Sequence, residues 1–186
     1  PDGTLQPQGG DLPTLCSLFA HMSFLDDLPI IGKFITSTQH TGFRQSEKLR
    51  YHTNDNRLIK RGWVGGTAMM IRKEVIDEIG LLDDAIFMYG EDTEYCMRAN
   101  HRHWDVAIDP QAKITHFGQA SSSSANAIKG EFKSYTYNWS KHKPLWQIPI
   151  VKLILKMGAV LRVIAFSTIK PDKKRRQIYQ ELLTQI

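Results

Sequence analysis

Apolar residues recur at near-helical spacing in "PTLCSLFAHMSF", residues 13 to 24, and predict a helix opening on Pro13, which a first helical turn tolerates. The next apolar run, "WVGGTAMMIR" (63–72), reads as a buried strand, its Gly65-Gly66 pair marking a bulge or the close approach of another group. "KEVIDEIG" (73–80) predicts a short helix: Val75, Ile76 and Ile79 share a face, and Gly80 suits the position just past a helix end. "DTEYCMRANHRH" predicts another helix, with Tyr95, Cys96 and Ala99 inward. "WDVAIDP" and "AKITHFG" alternate, so both predict strands. Polar stretches separate these elements: a Gly-, Pro- and Gln-rich opening over 1–13, a long surface loop over 37–60, and the break at Ser121 to Ser124. Beyond the serines the pattern is helical, and the chain contains no internal repeat.

From Leu145 to Ile169 the sequence is mostly apolar, long enough to invite a membrane-spanning reading. Three cations argue against it. At about 100° per residue, Lys152, Lys156 and Arg162 lie at roughly 0°, 40° and −80°, a single polar sector on an apolar helix. Placing them near a bilayer centre costs on the order of 8 kcal/mol, whereas each cation beside anionic lipid contributes roughly 1 kcal/mol. Trp139 and Trp146 precede the segment and "KPDKKRR" follows it. These features predict a helix lying in the membrane interface; a helix buried in a soluble core is the alternative.

Composition narrows the class. Hydrophobic residues make up 41% and charged residues 23% of the 186, which excludes a disordered chain and describes one domain, or a domain with an appendage. The net charge of +5 is concentrated: from Lys141 to Arg176 there are ten Lys or Arg and one acid, Asp172. Such a stretch suits phosphates on lipid, nucleotide or nucleic acid, or simply a solvated basic face. Apolar residues interleaved with the cations favour an anionic membrane surface, and no nucleic-acid motif accompanies them, so no nucleic-acid partner is expected. Two cysteines, Cys16 and Cys96, give neither a disulfide framework nor metal-ligand spacing, in keeping with a reducing compartment. The opening "PDGTLQPQGG" reads like mid-protein sequence, so a fragment is expected.

The candidate chemistry centres on "FMYGEDTEYCMRAN" (87–100), where Glu91 and Asp92 stand together behind a glycine. Carboxylates at a helix start are favoured by the unpaired N–H groups and the positive end of the dipole, so a cap explains the pair. A catalytic base is the sharper explanation, and the pair alone does not select it. Trp63, before the glycine pair, suits either stacking on a ligand ring or core packing. Phe87 and Tyr89 flank the acids as packing residues, and His101-x-His103 lies in a polar helix end, facing solvent.

The order of these pieces is more telling than any one. "GGTAMMIRKEVIDEIGLLDDAIFMYGEDTEYCMRA" (65–99) and "ITHFGQASS" (114–122) resemble the C-terminal half of family 2 glycosyltransferases with the GT-A fold, and "PDGTLQPQGGDLPTL" resembles the segment after their metal-binding strand. The closest likeness is to rhamnosyltransferase-like members acting on polyprenyl-linked sugars. The resemblance implies an α/β fold: residues 1–125 as the acceptor-side half of a mixed-sheet GT-A domain, and 126–186 as a helical, basic, amphipathic and membrane-associated region. It also implies an inverting, metal-dependent reaction that moves a sugar from a nucleotide-sugar donor to a polyprenyl-diphosphate-linked or cell-surface glycan acceptor. The subfamily likeness points to dTDP-rhamnose as donor. Asp92 matches the general base that takes the acceptor's hydroxyl proton, and the helix N-terminus favours its charged form. Glu91 matches the partner carboxylate that holds the acceptor, with Trp63, Gly65 and Gly66 lining the acceptor side. His116 matches the family's histidine ligand to Mn²⁺ or Mg²⁺, where an imidazole favours Mn²⁺. The implied location is cytoplasmic, peripheral at the inner face of the plasma membrane.

The chain also departs from that pattern. Nothing in it resembles the family's donor half or its Asp-x-Asp motif; "LDD" at 25–27 and 82–84 lies elsewhere. The remaining metal ligands are therefore expected in a missing N-terminal half, and the piece alone is expected to be inactive. The alternative reading is a non-catalytic module that binds acceptor or membrane.

Overall fold

The computed structural model describes residues 9–30, 32, 35, 58–86, 88–116 and 124–186. The predicted loop over 37–60 and the first three serines lie almost wholly outside these residues, but Ile59 and Lys60 belong to a strand.

The first helix, α1 (Leu15–Met22), begins one turn signal later than its pattern suggests. Thr14 is its N-cap, and the Thr14 and Ser17 side chains satisfy each other's backbone N–H groups in a reciprocal box, so Pro13 stands just outside. The predicted strand over 63–72 shrinks to two residues. Strand β1 (Gly9–Gly10) pairs antiparallel with β3 (Trp63–Val64), and β2 (Ile59–Arg61) pairs antiparallel with β4 (Val106–Ile108). After Val64 the chain turns through a short 3₁₀ segment, Gly66–Ala68, and residues 69–72 run extended and largely exposed. The strand ends at the glycine pair, where Gly66 serves another element, described below. Only glycine fits at Gly9, where a Cβ would lie 2.3 Å from the Trp63 carbonyl oxygen.

Helix α2 (Lys73–Ile79) ends at Gly80 in the left-handed region, φ 80°, as its sequence predicts. Helix α3 (Glu91–His101) buries Tyr95, Cys96 and Ala99 as its pattern requires, and also Glu94 and Met97, which the pattern does not. Residues 112–116 form no strand, so the alternation in "AKITHFG" is not realised there. The fold is thus mixed α/β, with helices and two small antiparallel sheets among the described residues.

The C-terminal third is helical throughout: α4 (Ser124–His142), α5 (Ile148–Thr168) and α6 (Lys173–Leu183). These three and α1 share one core of Leu18, Met22, Phe132, Tyr135, Trp139, Val151, Leu155, Ala159, Tyr179 and their neighbours. Each large apolar side chain fully buried there contributes about 1.5–3 kcal/mol relative to exposure. Two expectations for this region are corrected. Trp139 is a core residue, its indole N–H donating to Gln147 Oε1 at 3.0 Å, and not a membrane anchor. Arg162 lies on the inward face of α5, 8% exposed, and donates to the carbonyls of Met22 (2.9 Å) and His21 (3.2 Å). Its guanidinium satisfies carbonyls left over at the end of α1 and stacks on the Phe24 ring, 4.5 Å from the centroid. The proposed polar sector therefore breaks up: Lys152 and Lys156 face outward and Arg162 faces the bundle.

Candidate functional site

Helix α3 is launched by two consecutive residues in the left-handed region, Tyr89 (φ 69°) and Gly90 (φ 109°). Gly90 is the N-cap and brings no side chain to cap with. The first-turn N–H groups turn to the helix's own acids: Asp92 Oδ1 accepts from the Thr93 backbone N–H at 2.6 Å and from the Thr93 hydroxyl at 3.3 Å. Its other oxygen, Oδ2, accepts from the Gly66 backbone N–H at 2.9 Å. Of the glycine pair predicted to mark a close approach, Gly66 does so, and what approaches is the Asp92 carboxylate.

Asp92 is half-buried, with both oxygens in fixed directions. Neighbouring Glu91 has a raised carboxyl pKa, chiefly because it is withdrawn from water and secondarily because Asp92 repels its charge, with backbone amides opposing. Its Oε2 is buried with no hydrogen-bond partner among the described residues. One acid is thus held by donors while the other keeps an unused acceptor. Trp63 is half-buried, its indole nitrogen 3.2 Å from where a Cβ on Gly10 would stand, and its N–H finds no acceptor among the described residues. Gly66 and Asp92 therefore join the end of β3 to α3, with Gly65 and Glu91 beside them in sequence, while the Trp63 indole lies against Gly10 on β1.

His116 is described and exposed, in the irregular segment after β4. Among the described residues no group of three or more His, Cys, Asp or Glu side chains is arranged to hold a metal ion. These residues alone do not form a metal centre. His101 and His103 are exposed, as expected. Phe87 lies outside the described residues. Cys96 is buried, and burial pushes its thiol up to about 11, which makes it inert as a nucleophile at neutral pH.

Sequence reasoning missed what holds this joint in place. Helix α4 presents Gly130, Ser134 and Asn138, four residues apart on one face, to the turn before the acids. A Cβ on Gly130 would stand 2.7 Å from the Met88 carbonyl oxygen, and one on Gly90 would stand 2.5 Å from Ser134 Oγ. Asn138 donates to the Gly90 carbonyl at 3.2 Å. The signal was available: small or polar residues at i, i+4 and i+8 interrupt an otherwise aromatic helix, "KGEFKSYTYNWSKH".

One turn into α3, Glu94 is fully buried and is bound by Arg98 Nε (2.9 Å), Lys141 Nζ (2.8 Å) and His142 Nε2 (2.9 Å). Burial works against its charge, yet these three donors hold its pKa down at about 2. Lys141 also pairs with Asp83, which accepts from the Tyr137 hydroxyl at 2.7 Å. Arg98 continues to the carbonyls of Ile79 and Leu81, fastening the end of α2. The acids at 91 and 92 thus stand on a helix cross-linked to α2 and α4 by a satisfied ionic network.

The chain is similar to two curated proteins, both N-acetylglucosaminyl-diphospho-decaprenol L-rhamnosyltransferase, from Mycobacterium tuberculosis strains CDC 1551 / Oshkosh and ATCC 25618 / H37Rv. Each match is 23% identical over 181 residues, covering 95% of this chain and 55% of the relative. The chain therefore spans about half the length of the curated relatives it matches. No protein-family model and no solved structure matches it significantly. The likeness to a rhamnosyltransferase over nearly the whole chain supports a glycosyltransferase role and agrees with that part of the resemblance read from its motifs.

Proposed function

We propose that this chain is the acceptor-side part of an inverting family 2 glycosyltransferase with the GT-A fold. It transfers a sugar, rhamnose from dTDP-rhamnose, to a polyprenyl-diphosphate-linked glycan. The observation that carries this reading is the asymmetry of the acid pair: Asp92 is held at both oxygens, and Glu91 keeps a buried oxygen without a partner among the described residues. Asp92 takes the proton of the acceptor hydroxyl as that oxygen bonds to the anomeric carbon, and the bond from that carbon to the nucleoside diphosphate breaks. Glu91 accepts a hydrogen bond from the acceptor sugar, and Trp63, whose indole N–H finds no acceptor among the described residues, lines the acceptor side in the same reading. Gly66 fixes the direction of the base, which makes it a positioning residue.

His116 contributes one ligand to Mn²⁺ or Mg²⁺ in this reading, with the other ligands outside the described residues. When bound, the metal would neutralise the leaving diphosphate. Residues 1–125 serve the acceptor and 126–186 the membrane, with α1 packed into the helical part. The protein works peripherally at the cytoplasmic face of the plasma membrane, where such an acceptor is embedded.

The test is transfer by the full-length protein from a panel of nucleotide sugars to a short polyprenyl-diphosphate sugar, with and without Asp92→Asn. Transfer that disappears in the variant while its unfolding temperature holds supports the reading. Folded protein inactive with every donor would move the weight to a binding-only module.

A further inference from the structure

We propose that the outward face of α5 is a docking surface for an anionic lipid bilayer, and that it differs from the face the cation pattern suggests. Val151, Ile154, Leu155, Gly158, Ala159 and Arg162 point into the bundle. On the opposite side Ile150, Leu153, Val160 and Ile164 form an exposed row that begins at Trp146; Leu153 is 68% and Trp146 65% exposed. The spacings of three, four and seven keep this row on one side of the helix. A helix apolar on both its inward and outward faces needs apolar cover on both.

The charges beside the row say what covers it. Lys152 and Lys156 are exposed along one flank, and no acidic residue occurs between Leu145 and Pro171. Helix α6 packs along that flank, where Phe166 stacks on Tyr179 and Lys152 donates to the Ile186 carbonyl. It carries exposed Lys173, Lys174 and Arg175. An apolar row with a tryptophan at one end and lysines along one side matches the acyl–headgroup boundary of an anionic membrane. Among the described residues no helix is long and apolar enough to cross a membrane. The site rests on the proposed membrane-held acceptor for its purpose, but its binding chemistry does not depend on sugar transfer.

The experiment is co-sedimentation of the full-length protein with phosphatidylcholine vesicles, with and without phosphatidylglycerol. Wild type should pellet with the anionic vesicles and stay in solution with the neutral ones. Leu153→Glu/Ile164→Glu should abolish pelleting without lowering the unfolding temperature. Lys152→Glu/Lys156→Glu, whose side chains are exposed, should weaken it roughly tenfold or more. Folded wild type that ignores anionic vesicles would overturn the proposal. So would a lower unfolding temperature or an altered oligomeric state in Leu153→Glu/Ile164→Glu, since either would show protein covering the row. Transfer to a short-chain acceptor without vesicles separates the two ideas: activity without pelleting removes the docking surface, and pelleting without activity removes the enzyme.

Discussion

The backbone N–H of Gly66 donates to Asp92 Oδ2 at 2.9 Å, joining residues 26 positions apart into one small unit. A hydrogen bond to an ionised group contributes about 1.5–3 kcal/mol, enough to fix which way the carboxylate faces. Gly66→Pro deletes the donor; Gly66→Ala keeps it and adds a Cβ only 3.6 Å from the Asp92 Cβ, an ordinary contact. In the full-length protein, kcat should fall roughly tenfold to a hundredfold for proline and stay within about twofold for alanine. Equal damage from both would mean that the loop is needed for its bare backbone and not for its amide.

Gly90 carries a second, purely steric demand. Its φ of 109° is costly for any side chain, and a Cβ there would meet Ser134 Oγ at 2.5 Å and Ser134 Cβ at 2.8 Å. Gly90→Ala should cost about 2–3 kcal/mol in urea unfolding. Ser134→Gly in the same chain should recover the part due to the clash and leave the part due to the backbone. Full recovery would show that the backbone at Gly90 carries no strain.

Much of this arrangement is legible in the sequence where a local rule decides it. Gly80 ends α2 because a left-handed position follows, and the inward face of α3 follows its period. Misreadings occurred where a distant partner overrides the local pattern. "WVGGTAMMIR" has strand composition, yet the Asp92 carboxylate draws Gly66 out of the strand. Arg162 reads as a surface cation, yet the carbonyls of His21 and Met22, some 140 positions upstream, draw it inward. Glu94 was silent for the same reason: its partners Lys141 and His142 lie on a helix that only tertiary packing brings near.

Glu94 should give the acid limb of the stability curve. Its folded-state pKa of about 2 lies below the ordinary value of 4.5, so its stabilisation is full above 4.5 and drains away as pH falls towards 2. The loss should be on the order of 3 kcal/mol across that window. Denaturant midpoints measured through it should show a slope that Glu94→Gln flattens. An unchanged slope would assign acid sensitivity to other carboxylates.

His21 should act at the other end. Burial lowers its pKa, but hydrogen bonds from its ring to Asp26 and Glu131 outweigh that and raise it to about 9, against the pull of Arg162. A raised pKa contributes stability below 6.5 that is lost as pH climbs to 9. Denaturant midpoints should decline over that interval in wild type, and His21→Gln should remove the decline. A variant that still declines would place the titration elsewhere.

Arg162 and Lys152 make opposite predictions although both are cations on α5. Arg162 is buried, and Arg162→Met would leave the Met22 and His21 carbonyls without their donor, at a cost of about 2–3 kcal/mol. Its removal should not touch binding to anionic vesicles, since it faces the bundle. Lys152 is exposed, its ammonium on the Ile186 carbonyl at 3.2 Å, so Lys152→Glu should lower the urea midpoint only slightly and weaken vesicle binding. A helix turned the other way would exchange the two results: Arg162 would then govern the vesicles and Lys152 the fold. The crossed comparison therefore tests the orientation of α5 through a stability difference and a binding difference that no single variant could supply.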